Sequence, residues 1–263
     1  MSQQQSISWK GGKIFFRVKG QGKVLVLLHG FLGASSVFQK ILPALSKKFC
    51  VITIDLPGHG KSSSFGYLHT MDFMSDAVVV VLNHLKVENC FVLGHSMGGY
   101  VSLELARKQK QLVRAICLLN SISFPDSVEK KKDRDRAIIA VKSNHNIYIR
   151  QTISNLFSAP HFKNNQAQFR LALKLAETTS VRGLLAALEG MKLREDFSAF
   201  VQSQLVPVFW IKGKHDKVFT TSDVEKHLKL FPASNVFTLE NAGHMAMLEE
   251  HRKCVELILS VAN

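Results

Sequence analysis

The stretch Cys90-Phe91-Val92-Leu93-Gly94-His95-Ser96-Met97-Gly98-Gly99-Tyr100-Val101-Ser102-Leu103-Glu104-Leu105-Ala106-Arg107 decides the reading of this chain. A short apolar run leads into G-x-S-x-G, and a helical pattern follows. Strand, sharp turn and helix are the context that exposes a serine as a nucleophile. Gly94 and Gly98 have no Cβ to clash in so tight a turn, and Gly99 lets the helix pack closely. The hydroxyl of Ser96 is thereby lifted to a helix N-terminus, where developing negative charge is favoured. Short glycine patterns also arise by chance, so the rest of the sequence has to supply the partners.

Outward from this stretch, apolar strand-like runs alternate with helical patterns. Ile7-Ser8-Trp9 and Ile14-Phe15-Phe16-Arg17-Val18 flank Gly11-Gly12 and read as a hairpin. Val24-Leu25-Val26-Leu27-Leu28 and Cys50-Val51-Ile52-Thr53-Ile54 read as buried strands. A helix capped by Ser35 or Ser36 and running to about Ser46, interrupted by Pro43, lies between them. Asp72 to Leu85 has the apolar spacing of an amphipathic helix, and Val113 to Asn120 is another strand. Such alternation implies a parallel sheet covered by helices.

From about Ser121 to Phe200 the strand pattern stops. Helical patterns cover Arg134 to Val141, Ile147 to Phe157, Gln166 to Thr178 and Val181 to Met191, with Pro160 and Gly190 as joints. The expected division is a core of residues 1–120 and 201–263, with residues 121–200 inserted as a helical cap over the strand ends. Phe124, Phe157, Phe162, Leu184, Leu185 and Met191 are its candidate pocket residues, although a stripe at helical spacing is more often core. Strands resume at Val206 to Lys212 and Asn235 to Leu239, separated by a helix from a Ser222 or Asp223 cap to Leu230. A closing helix begins near Met247.

Each remaining chemical group follows a strand. His29-Gly30-Phe31-Leu32-Gly33 ends the first buried strand, at the edge where an open α/β sheet places its ligands. The backbone N–H groups of Phe31 and Met97 are candidates for an oxyanion hole, with Gly30 permitting close approach. Asp55 and His59 lie in a Pro- and Gly-punctuated loop, and Asp55 is read as a structural acceptor for loop backbone. Asp216 and His244 follow the last two strands. A serine hydroxyl needs an imidazole base, and the imidazole needs a carboxylate to hold its tautomer. Ser96, Asp216 and His244 supply one of each, with Asp223 and Asp126 as the alternative acids.

His29-Gly30-Phe31, Asp55-Leu56-Pro57-Gly58-His59-Gly60-Lys61-Ser62, Gly94-His95-Ser96-Met97-Gly98-Gly99, Gly213-Lys214-His215-Asp216 and Asn241-Ala242-Gly243-His244 together resemble the α/β-hydrolase superfamily, over essentially the full length. The resemblance implies an α/β fold with a mostly parallel eight-stranded sheet, one antiparallel strand near the start, helices on both faces, a cap after the sixth strand and no cofactor or metal. It implies Ser96 as nucleophile, His244 as base and Asp216 as its orienting acid, and a serine nucleophile argues against the epoxide hydrolase and dehalogenase branches. The segment Leu188 to Asp196 resembles the cap of small bacterial esterases and enol-lactonases. Gly30, His95, Phe124 and Met191 are the expected substrate contacts.

The expected activity is hydrolysis of a carboxylic ester, thioester or lactone of a small to medium acyl substrate through an acyl-enzyme. A carbon–carbon bond hydrolase, or a lyase of the menaquinone-pathway type, uses the same triad; it would need Arg134, Arg150 or Lys192 to hold substrate carboxylates. Perhydrolase activity is another enzymatic option, and a small-molecule receptor on the same fold is the non-catalytic one.

The composition narrows the partners. The net charge is +14, from 34 Lys and Arg against 20 Asp and Glu, which suits an acidic carrier protein, an anionic substrate or anionic lipid, and equally a solvated basic surface with no particular partner. No nucleic-acid motif accompanies it, so nucleic acid is not an expected partner. No apolar run is long enough to span a membrane, and the polar N-terminus lacks a signal-peptide core, so a cytoplasmic location is expected. The four cysteines form no C-x-x-C pair and read as buried free thiols.

Overall fold

A computed structural model describes residues 3–158 and 166–262. The hairpin consists of β1 (Gln3–Trp9) and β2 (Gly12–Lys19), joined through Lys10 and Gly11 at φ 45° and 76°. Two successive left-handed residues give the primed turn whose twist matches antiparallel strands. The strands β3 (Val24–Leu28), β4 (Cys50–Ile54), β5 (Cys90–His95), β6 (Val113–Leu119), β7 (Val208–Gly213) and β8 (Val236–Leu239) complete one sheet. Its eight strands run in the order β1-β2-β4-β3-β5-β6-β7-β8. β2 is antiparallel to both its neighbours, and every pairing from β4 onward is parallel.

All six residues of β5 are buried, which requires cover on both faces of the sheet. The helix α1 (Leu42–Leu45) is short; α2 (Met71–His84) packs on α3 (Met97–Lys108), which crosses β3, β5 and β6. Between β6 and β7 the described residues form only helices: α4 (Val128–Asn155), α5 (Gln166–Ala176), α6 (Val181–Lys192) and α7 (Ser198–Ser203). α8 (Thr221–Leu228) joins β7 to β8, and α9 (Ala246–Glu249) and α10 (His251–Ala262) close the chain.

Several boundaries differ from the sequence reading for local reasons. The single helix expected from Ser35 to Ser46 is a 3-10 helix, Ser35–Lys40, followed by α1, with Pro43 in the first turn of α1. Neither Ser35 nor Ser36 caps it: Ala34 holds that position, and the Ser35 N–H donates to the Asp55 carboxylate at 2.6 Å. α4 joins the two expected helices through Asn144, whose φ of −155° breaks the ladder and whose Oδ1 accepts from Ile147 N at 3.1 Å. Gly190 is no joint but lies inside α6, pressed on His69; a Cβ there would sit 1.7 Å from the His69 carbonyl oxygen. Pro160 and Phe162 fall outside the described residues. α8 is capped by Thr220, two or three residues before the expected cap, because Thr220 and Asp223 form a reciprocal capping box. Cys90, Cys117 and Cys254 are buried free thiols and Cys50 is half-buried; burial pushes Cys90 and Cys254 up to about 12. No described helix is long and apolar enough to cross a membrane.

Candidate active site

The register of the sheet brings the candidate groups together. Leu28 pairs with Gly94, His95 with Leu119, Leu119 with Ile211 and Gly213 with Leu239. The carboxyl ends of β3, β5, β6, β7 and β8 are therefore aligned, and the five loops that leave them share one edge. Those loops carry His29-Gly30-Phe31, Ser96, Asn120, Asp216 and His244.

Ser96 sits at φ 51° and ψ −117°, a strained conformation for a residue with a side chain. Its backbone is held there from both sides: Ser96 N donates to Leu119 O at 3.0 Å, and Ser121 Oγ donates to Ser96 O at 2.8 Å. Only glycines fit around it. A Cβ on Gly94 would lie 2.3 Å from the Gly98 oxygen, and one on Gly98 would lie 2.2 Å from the Leu28 oxygen. Met97 opens α3, so its N–H has no carbonyl one turn earlier to bond.

The His29 loop is fixed from below. His29 Nδ1–H donates to Gly30 O at 2.8 Å and Nε2 accepts from Leu56 N at 3.0 Å. Burial lowers the His29 pKa, in keeping with a neutral ring that has one donor and one acceptor nitrogen. Asp55 takes the structural part read from the sequence, accepting from Ser35 N and Lys61 N at 2.6 and 2.8 Å. A Cβ on Gly30 would lie 3.0 Å from Ser96 Cβ and 2.8 Å from His95 Nδ1, so this loop backs directly onto the elbow.

His244 Nδ1 lies 2.8 Å from Asp216 Oδ2, and both side chains are almost fully buried. The same oxygen accepts from Asn120 Nδ2 at 2.8 Å, and Asp216 Oδ1 accepts from Val218 N at 2.9 Å. Burial alone would raise the Asp216 carboxyl, but the neighbouring His244 and these hydrogen bonds together hold it below the usual carboxylate range. With Asp216 ionised, the 2.8 Å contact places a ring proton on Nδ1 of His244.

The His244 backbone is fixed as firmly: His244 N donates to Leu156 O, and His95 Nε2–H donates to His244 O, both at 2.9 Å. Burial, then the neighbouring His244, pushes His95 down to about 3, so it stays a neutral donor. Glu249 gathers the N–H groups of Ser158, Gly243 and Met245 at 2.9, 3.0 and 3.1 Å around this turn. Asn120 and Glu249 were not singled out in the sequence. The position of Asn120 directly after β6 was the available signal for the first, while Glu249 reads locally as one more helical acid.

A cavity of about 720 Å³ opens at this edge. Phe31, His95, Ser96, Met191 and His244 are among its walls, and Asp216 stands behind His244. Phe124, expected at the substrate, instead packs edge-on against His227 at 5.5 Å and lines a separate crevice. Phe157, Leu184 and Leu185 lie in or against the core and outside the walls. Of the basic residues considered for substrate carboxylates, Arg134 reaches the cavity, Arg150 is exposed and Lys192 is paired with Asp135 and Glu189. The alternative acids are engaged elsewhere: Asp223 closes the capping box with Thr220, and Asp126 binds two arginines. No group of three metal-ligating side chains occurs among the described residues.

This arrangement belongs to a known class. Residues 23–251 match the model of the α/β-hydrolase fold family, and the chain is a member of that family. It is similar to the dihydrolipoyllysine-residue acetyltransferase component of the acetoin cleaving system of Pseudomonas putida, with 30% identity over 246 residues; the chain spans 64% of the length of that relative. It is 24% identical over 252 residues to the pimeloyl-[acyl-carrier protein] methyl ester esterase of Aeromonas hydrophila, covering 91% of this chain and 95% of that one. Among solved structures, a thermophilic esterase from Thermogutta terrifontis superposes with a TM-score of 0.91 at 26% identity, over 98% of this chain and 97% of that chain.

Proposed function

We propose that this chain is a serine hydrolase that cleaves a carboxylic ester, thioester or lactone of a small to medium acyl substrate, with Ser96 as nucleophile, His244 as base and Asp216 as orienting acid. The observation that carries the reading is the 2.8 Å contact between His244 Nδ1 and Asp216 Oδ2, in a cavity that also presents Ser96 on a strained elbow. In this mechanism His244 Nε2 takes the hydroxyl proton as Ser96 Oγ bonds to the carbonyl carbon. The oxyanion accepts hydrogen bonds from the N–H groups of Phe31 and Met97. Collapse of the intermediate breaks the bond to the leaving alcohol, which takes the proton from His244. Water then attacks the acyl-enzyme by the same route, releasing the acid and restoring Ser96. The helical segment between β6 and β7 serves as a cap that supplies Met191 to the pocket.

The esterases among the similar proteins support ester cleavage. One of them is named for an acyl-carrier-protein substrate, which makes an acidic carrier a partner to test against the net charge of +14. The test is hydrolysis of p-nitrophenyl esters from acetate to decanoate by wild type and Ser96→Ala. Turnover that vanishes in the variant is the expected result, and its chain-length optimum sizes the pocket. Equal inertness of both proteins would overturn ester hydrolysis and favour the carbon–carbon or receptor readings.

A further inference from the structure

The cavity that Ser96 lines also carries a cluster of charged side chains. The Asp126 side chain is completely buried and meets two guanidinium groups: Nε and Nη2 of Arg134, and Nη1 of Arg194. Arg194 Nε also donates to Phe124 O at 2.8 Å, and its guanidinium lies 4.1 Å from the centre of the Tyr100 ring. Both arginine side chains are largely buried, at 13% and 6% exposure. A third cation, Lys130, lines the same cavity; its Nζ reaches Val218 O at 3.5 Å, and no carboxylate of the described residues lies in ion-pair range. Burial, then the neighbouring Arg134, lowers the Lys130 pKa.

The other acids that line the cavity have partners of their own. Glu129 and Asp133 are mostly exposed and pair with Lys132 and Arg136, while Asp223 is occupied in its capping box. Arg134, Arg194 and Lys130 therefore share one fully buried carboxylate, Asp126, and the exposed Lys217 also lines the cavity. Nη1 of Arg134 and Nη2 of Arg194 keep donors without a hydrogen-bond partner among the described residues. Partly desolvated guanidinium groups with spare donors match a carboxylate closely, and charge-assisted hydrogen bonds of this kind are the strong ones.

We propose that Arg134, Arg194 and Lys130 form an anion subsite that selects substrates carrying a carboxylate at a distance from the ester bond that Ser96 attacks. This rests on the ester-hydrolase reading for the reaction, but the subsite can be measured without turnover. The anion can belong to the acyl group, as in a half-ester of a dicarboxylic acid, or to the alcohol, as in an acylated hydroxy acid.

The experiment uses the Ser96→Ala protein and calorimetric titration with monomethyl adipate and dimethyl adipate, which differ in one charge. The half-ester should bind at least about tenfold more tightly, the size of one charge-assisted hydrogen bond. Adding Arg134→Gln should remove most of that preference, and Arg134→Lys should retain part of it. Lys130→Gln, at a position that leaves the Asp126 ion pairs intact, should reduce it independently, and circular dichroism checks that each variant is folded. Equal or tighter binding of the diester, or a preference that survives both Gln variants, would overturn the proposal. Turnover of monomethyl adipate against 4-acetoxybutanoate by wild type then tells whether the anion lies on the acyl or the alcohol side. A wild type that binds the half-ester selectively and yet hydrolyses no ester would refute the hydrolase reading while leaving the subsite standing.

Discussion

Asn120 Nδ2 donates to Asp216 Oδ2 at 2.8 Å, the same oxygen that faces His244 Nδ1, and it also reaches Gly243 O at 3.1 Å. One amide therefore ties the end of β6 to both loops that carry the candidate acid and base. Asn120 holds φ at 47°, which asparagine and aspartate tolerate better than most residues. Asn120→Asp keeps that tolerance but replaces a donor with a second carboxylate. Like charges in contact raise the pKa of the pair. A second carboxylate beside the His244–Asp216 pair favours its protonated form, and the pair must lose that proton before the base can accept, so the acid limb of the pH–rate profile should move to higher pH by about one unit or more. An unmoved limb would separate Asn120 from the groups whose titration controls turnover.

Asp216→Asn removes the charge and keeps the shape. The amide can donate to His244 Nδ1, which places the remaining ring proton on Nε2, where the base must accept. Turnover of p-nitrophenyl acetate should fall by about a thousandfold or more, with little change in the chain-length optimum. A loss under tenfold would point to another acid.

Glu249 accepts three buried backbone N–H groups around the His244 turn. Glu249→Ala strands all three, so urea denaturation should show a loss of about 3 kcal/mol or more. Activity should fall in step, because the same turn fixes His244. Glu249→Gln retains an acceptor oxygen and should lose less on both measures.

Acid should destabilise the fold through its buried histidines. Burial pushes His59, His95 and His227 each down to about 3, against an ordinary value of 6.5. Between those values the unfolded chain binds protons that the folded chain does not, so stability is full above about pH 6.5 and falls as the pH drops towards 3. His227 packs 4.4 Å from Trp210 and accepts from Ser123 N at 3.0 Å, away from Ser96 and His244. His227→Gln should flatten the slope of unfolding free energy against pH by up to one proton, about 1.4 kcal/mol per pH unit. An unchanged slope would show that this ring is protonated in the folded chain.

Gly190→Ala opposes two effects. In an ordinary helix interior the change stabilises by about 1 kcal/mol. Here the new Cβ would lie 1.7 Å from His69 O, backbone that has no room to yield. Overpacking should win, with a net loss on the order of 2 kcal/mol in urea denaturation.

The alternation of apolar runs with helical patterns, and the position of each chemical residue just after a strand, were legible in the sequence because they depend on periodicity and on glycine at sharp turns. That is why the family, and the strand ends that carry Ser96, Asp216 and His244, could be read before the fold was known, and why Asp55 reads as an acceptor for loop backbone. Local competition was less legible. Thr220 outcompetes Ser222 as a cap through its pairing with Asp223, and Gly190 looks like a joint until His69 is placed against it.

What the sequence determined by itself is the order of strands and helices and the set of residue types at the strand ends. The tertiary structure decided which of those residues meet. Asp216 reaches His244 while Asp126 and Asp223 do not, because sheet register aligns the ends of β7 and β8. Phe124 turns away from the cavity and packs on His227, while Asn120 and Glu249 enter the site through contacts with residues 96 and 91 positions away. Contacts of that range leave no periodic trace in a chain, since their energy depends on which surfaces the finished fold presses together.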